Sequence, residues 1–193
     1  MTVHPQGGMS SSQPFHSDDW LDFNMQQTGH GNRYDQVHPS IERDWVLKPE
    51  KPVLDGEPRY ENHPPFNELG DGVHMDNDDC RRAAYASVFS GACGVTYGCH
   101  AVWQMASDRT VPINRPLGTW RESLHLPGAR QYGLLRRLMD TLPFGDLLPA
   151  HELASSESEG DWMPVRALAT VGHEMVAVYI PHGRPVSVSV VGE

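Results

Sequence analysis

The chain has 193 residues, with 18 glycines, 16 prolines, 15 basic and 25 acidic residues and a formal net charge of −10. That length gives one ordinary domain or a little more, and its glycine and proline content means loop-rich rather than disordered. The negative balance argues against nucleic acid or a membrane surface as partner; no apolar run approaches the roughly 18–20 residues of a membrane span, and the start MTVHPQGGMSSSQPF lacks the basic and apolar parts of a signal peptide.

In chain order, residues 2–4 read as a short extended piece ended by Pro5, Gly7 and Gly8. Residues 21–25 (LDFNM) are a second strand, ending in Gln26, Gln27, Thr28, Gly29 and His30. A helix follows over residues 34–47, with Pro39 near its first turn, where a missing N–H is tolerated. Residues 52–55 (PVLD) are a third strand, cut off by Gly56, Glu57 and Pro58. Residues 78–93 are the clearest helix of the first half: Asn77 can cap it, and Asp78 and Asp79 suit the positive end of its dipole. Its small side (Ala83, Ala84, Ala86, Ser87, Gly91) fits close packing on a sheet. A fourth strand spans residues 94–97, and a helix over residues 128–142 carries Tyr132, Leu135, Met139 and Leu142 at helical spacing. Short apolar strands alternating with helices argue for an α/β fold of βα units around a parallel sheet.

The tail changes character. After a polar linker over residues 155–160 (SSESEG), residues 165–169, 175–180 and 186–191 read as strands, the last two joined by a turn at Pro181, His182 and Gly183. This is antiparallel β chemistry, expected as a separate small module.

Cysteine and histidine add little. Cys80, Cys93 and Cys99 are odd in number, without CxxC pairing, and are expected as buried thiols. The 11 histidines, among them His4, His30, His100 and His125, show no HExxH or other tight ligand spacing. The acidic stretch NELGDGVHMDN lacks the spacing of a calcium loop. No metal and no cofactor is expected.

Polar side chains collect where the strands end: His4 and Gln6, Asn24 and Gln27, Glu57, then Tyr97 and His100. In a parallel α/β architecture that is the carboxyl edge, where active sites form. The most informative stretch is KPVLDGEPRYE, residues 51–61. A strand delivers Glu57 onto a bend framed by Gly56, which permits unusual angles or close approach, and Pro58, which fixes the exit. A carboxylate held this rigidly suits attack on an anomeric carbon. Asp55, two residues earlier, points to the same face one layer deeper, and Tyr60 could hydrogen-bond Glu57. A structural ion pair of Glu57 with Arg59 or Arg81 is the competing reading. Trp20, Tyr34, Tyr60, Tyr97 and Trp103, with nearby Gln and Asn side chains, tilt the ligand toward carbohydrate. No phosphate loop, dinucleotide fingerprint or serine nucleophile elbow is present.

Several blocks in order resemble one family: HPQGG with SSQPFH, WLDFNMQQTGHG, KPVLDGEPRYE, CRRAAYASVFSGACGVTYGCHAVWQM and PGARQYGLLRRLMDTLP. They are similar to the apiosidase-like glycoside hydrolases. The resemblance implies that residues 1–150 are the second half of a (β/α)8 TIM-barrel catalytic domain, and that residues 161–193 begin a small β domain often labelled collagen-binding. It implies a retaining glycosidase acting on plant cell-wall pectin, where the family releases apiose, or on related glycans. Glu57 matches the strand-seven nucleophile, and His4, Gln27, His30, Tyr60 and Trp103 fall in blocks of the barrel-top loops as sugar-binding candidates. The family's acid/base aspartate, in a Gly-Gly-Asp motif after strand four, is expected upstream of Met1. Asp18, Asp19 and Asp22 lie in the segment leading into strand six and do not replace it. A retaining mechanism needs two carboxyl groups roughly 5–5.5 Å apart, so this chain alone is expected to be inactive, a fragment with open barrel edges through which it can self-associate. The alternative is a half-barrel that binds glycan or pairs with another subunit without catalysis. The family suggests secretion or a periplasmic location.

Overall fold

The computed structural model describes residues 1–31, 37–66, 72–156 and 163–189. Tyr34 and the start of its expected helix, the first part of the acidic NELGDGVHMDN stretch, the end of the 155–160 linker, and residues 190–191 of the last expected strand lie outside the described residues.

The elements in chain order are α1 (Ser12–Phe15), β1 (Asn24–Gln26), α2 (His38–Trp45), β2 (Val53–Asp55), β3 (Tyr60–Glu61), α3 (Asn77–Phe89), β4 (Gly94–Val95), β5 (Gly98–Cys99), α4 (His100–Trp103), α5 (Trp120–Ser123) and α6 (Gly128–Asp140). The tail holds β6 (Leu148–Pro149), β7 (Ala154–Ser156), β8 (Arg166–Ala169), β9 (Val176–Tyr179) and β10 (Val186–Val188). The fold is mixed α/β. β1, β2 and β4 form a parallel sheet in that order, with Gln26 beside Asp55 and Asp55 beside Val95. Just beyond its carboxyl end, β3 pairs in parallel with β5, Tyr60 beside Gly98. No helix among the described residues is long and apolar enough to cross a membrane.

Residues 2–4 form no strand. Thr2 donates its hydroxyl to Phe23 O (2.8 Å), and the chain then turns and runs antiparallel to β1, bridging Ser10 to Gln26. Asp44 at the end of α2 pins this return. Fully buried, it accepts from Ser10 Oγ and Gln26 Nε2 on one oxygen and from Ser12 Oγ and Arg43 Nε on the other. The cap of α3 is Asp76 rather than Asn77: the Asp76 carboxylate accepts from the N–H groups of Asp78 and Asp79, and Asp79 reaches back to Asp76 N. Asp thereby satisfies two orphan donors of the first turn and meets the helix dipole with a charge. Of the three thiols, Cys80 and Cys99 are buried, but Cys93 is exposed because it sits in the loop ahead of β4.

α3 packs against α6 on one flank and against β8 and β9 on another. Ala84, Val88, Phe89, Leu135, Met139, Leu147 and Leu168 form one buried cluster, with Tyr85 and Tyr179 packed on it. The tail sheet, antiparallel in the order β6, β8, β9, starts at Leu148, and Ser155 and Ser156 of the expected linker belong to β7, paired antiparallel with β10. A cavity of about 800 Å³ lies at the amino ends of β2 and β4, lined by Trp45, Lys51, Ala92, Cys93, Phe144 and Leu168. It is on the opposite end of the sheet from Glu57.

Candidate active site

β2 carries Leu54 and Asp55 to its carboxyl end and hands Glu57 to the bend that follows. Gly56 there works by close approach: a Cβ would overlap the Met25 side chain of the neighbouring strand. The backbone fixes the bend from both sides, as Gly56 N donates to Gln26 O (2.9 Å) and Gly29 N to Glu57 O (3.0 Å). The loop after β1 is therefore tied to the bend after β2, and Gln27 and His30 reach the carboxylate from it.

Three side chains converge on Glu57 among the described residues. Gln27 Nε2 donates to Oε1 at 2.5 Å, His30 Nε2 lies 3.0 Å from the same oxygen, and His4 Nε2 lies 3.0 Å from Oε2. Exposure is graded: 6% for the His30 side chain, 19% for Glu57 and 47% for His4. Glu57 is thus gripped from within and open outward. The hydrogen bond from His30 is the main reason its carboxyl titrates below the usual carboxylate range; burial opposes this, and the charges on His30 and His4 assist.

Tyr60 does not supply the hydrogen bond expected of it. Its ring lies on Gly98 of the paired strand, where a Cβ would overlap it, and stands edge-on to His30 at 4.5 Å between centroids. Burial and then the neighbouring Glu57 charge raise its hydroxyl to about 12, so Tyr60 stays neutral. Trp103 is not in this group. It reaches the site only through rings, donating from Nε1 to His100 Nδ1 (3.1 Å), with His100 against His63 and His63 against His30. The competing ion pair with Arg81 is not formed, since Arg81 pairs with Asp78.

Asp55 lies one layer deeper, fully buried. It accepts from Thr28 Oγ1 (2.8 Å) and Ser87 Oγ (2.6 Å), and burial raises its carboxyl to about 6. Glu61 is also buried, accepting from Tyr97 Oη (2.5 Å) and Gly128 N (3.0 Å), and burial raises it too. Both carboxyls brace the walls of the site, whereas Glu57 faces its opening.

His63 is the residue sequence reasoning missed behind Glu57, packed between His30 and His100. His63 had no signal of its own beyond its place three residues after Tyr60, and His100 stood out only as a strand-end polar group. Among the described residues no group of three or more His, Cys, Asp or Glu is arranged to hold a metal ion.

A carboxylate at the carboxyl end of a parallel strand, with two inward side chains on one oxygen and only the half-exposed His4 on the other, can attack an electrophilic carbon and form an ester. Comparison with known proteins agrees in kind. No curated protein sequence matches the chain. Solved structures do, among them a glycoside hydrolase with TM-score 0.79 and 30% identity over 86% of this chain and 41% of its own, and a glycoside hydrolase of family 5 from Bacteroides vulgatus with TM-score 0.86 and 27% identity over 96% of this chain and 43% of its own. The chain spans about two-fifths of the length of these structures. A family described as apiosidase-like, catalytic domain, matches residues 1–146, so the resemblance of the sequence blocks is borne out and the chain belongs to the apiosidase-like family.

Proposed function

We propose that these residues form the nucleophile side of a retaining glycoside hydrolase site acting on pectic or related plant cell-wall glycans. The observation that carries this is the asymmetric grip on Glu57. Oε1 takes two inward donors, Gln27 and His30, and Oε2 has the half-exposed His4. Oε2 is the attacking atom: it bonds to the anomeric carbon, the bond to the leaving oxygen breaks, and that oxygen takes a proton from a second carboxylic acid. Water, deprotonated by the same second group, then cleaves the ester and restores Glu57. Asp55 accepts from Thr28 and Ser87 and Glu61 from Tyr97 and Gly128, so neither buried carboxyl faces the opening as the second group. The outer edge of β4, last in its sheet, is where further strands of a (β/α)8 barrel would pair, whether from the same polypeptide or from another copy. His4, Gln27, His30 and Tyr60 would contact the sugar at the reacting centre. Trp103, half exposed with its N–H spent on His100, offers an apolar ring for a more distant unit.

A dinitrophenyl leaving group departs without acid assistance, so activated glycosides separate the two halves of the mechanism. A panel headed by dinitrophenyl β-apioside should release about one equivalent of phenolate and leave a glycosyl ester on the Glu57 peptide, detected by mass spectrometry and absent in Glu57→Gln. Unactivated pectic fragments should turn over roughly 10²–10⁴-fold more slowly than in a site holding both groups. An ester on another residue, or glycan binding with no ester across the panel, would replace this reading with a non-catalytic one.

A further inference from the structure

Behind Glu57 stands a column of imidazole rings. His30 lies face to face on His63 (centroids 4.3 Å apart, planes at 20°), and His63 meets His100 edge-on at 4.2 Å. All three are buried, and Phe66 closes the side of the column against His63 at 5.1 Å.

The partners of each ring fix where its proton sits. His63 Nδ1 is 2.6 Å from Pro64 O, which only accepts, so the proton is on Nδ1. His100 Nε2 lies 3.0 Å from the carbonyls of both Ile113 and Asn114, and its Nδ1 accepts from Trp103, so its proton is on Nε2. Gln104, 3.3 Å from the same Nε2, directs its amide N–H groups to the carbonyls of His100 and Ile113. His30 donates from Nε2 to the Glu57 carboxylate, and its Nδ1 is buried with no hydrogen-bond partner among the described residues. Burial, reinforced by the two neighbouring imidazoles, pushes His63 down to about 3, so the ring under His30 is neutral. A proton on His30 Nδ1 would point at no acceptor, and a flip of the ring would leave Glu57 Oε1 without this donor.

We propose that His63 is a positioning residue whose ring face holds His30 in one orientation, with Nε2–H aimed at Glu57 Oε1. The effect on glycosyl transfer rests on the glycosidase reading, but the effect on His30 does not, and that separates the two tests.

Long-range proton–nitrogen correlation spectra of the whole chain at neutral pH should show His30 and His100 as single Nε2–H tautomers and His63 as Nδ1–H. His63→Asn keeps a donor near Pro64 O but removes the ring face; His30 should then show averaged tautomers, and ester formation on Glu57 should slow roughly tenfold or more. His63→Phe keeps the face and loses the donor, and should preserve the His30 pattern. Nδ1–H on His30 in the native chain, or an unchanged His30 pattern in His63→Asn, overturns the proposal. If His63→Asn does not fold, the native spectrum and His63→Phe decide, and loss of the His30 pattern in His63→Phe overturns it. The predicted tautomers with no sugar ester uphold the positioning and remove the glycosidase reading alone.

Discussion

Glu57 and Asp55 leave the same strand two residues apart, and their surroundings drive their protons in opposite directions. His30 favours the ionised form of Glu57, so Glu57 adds stability above the unfolded carboxylate range and loses it as pH falls through its lowered folded value. His30→Phe removes the principal cause, and the Glu57 titration followed by carbon NMR should move upward; an unmoved midpoint would mean that His30 is not the main influence. Asp55 has the reverse sign. Its folded value is about 6 because burial outweighs the bonds from Ser87 and Thr28. The native state therefore holds a proton that the unfolded chain has released, and this contribution falls as pH rises between about 4 and 6, by on the order of 2–3 kcal/mol. Asp55→Asn should flatten that slope in urea melts taken across this window. An identical slope in the variant would assign the pH dependence elsewhere. The relative depth of the two carboxylates was legible in the sequence, since period two in a strand sets it. The histidine column was not: His30 and His63 sit on separate loops and His100 opens α4, and only tertiary packing joins them.

Short elements hold this site, and each depends on a neighbour. α3 and α6 were readable because capping acids and apolar spacing are local, although the cap moved one residue to Asp76. β1 begins later than its apolar run, at Asn24, because Leu21 is spent on the core below the strand and register follows the partner β2. Residues 2–4 looked extended, but Thr2 bonds Phe23 O instead of a strand ladder. The β3–β5 pair had no sequence signal, being two residues on each side. It nonetheless seats Tyr60, since Gly98 lies flat under the tyrosine ring and Tyr60 in turn walls His30. Gly98→Ala puts a methyl group into a ring that has no flexible end to move. The expected cost is about 1–3 kcal/mol in denaturant midpoint at unchanged m-value, with weaker glycosylation of Glu57. Full stability in Gly98→Ala would mean that the pair is not a support for the site.

At the scale of the molecule, the parallel sheet and the antiparallel tail share apolar and polar contacts. Leu168 of β8 is 1% exposed within the cluster built from α3 and α6, and Tyr179 of β9 rests on Tyr85 and Phe89. Beside them Glu42 of α2 pairs with Arg166 Nε (2.9 Å) and His151 Nε2 (3.3 Å), tying the helix after β1 to the tail. His38 faces the same group, and burial, then Arg166, lowers it to about 4, so it stays neutral next to the pair. Removing a buried leucine side chain costs about 2–5 kcal/mol through lost transfer energy and the cavity left behind. If the cluster is one cooperative core, Leu168→Ala destabilises the α/β portion together with the tail, although Leu168 lies on the tail strand β8. Far-UV circular dichroism and tryptophan fluorescence should then give coincident transitions in both proteins, the variant shifted as a whole. A variant that splits into two transitions, with fluorescence from Trp20, Trp45 and Trp103 unmoved, would show that the tail folds as its own unit on a preformed α/β layer.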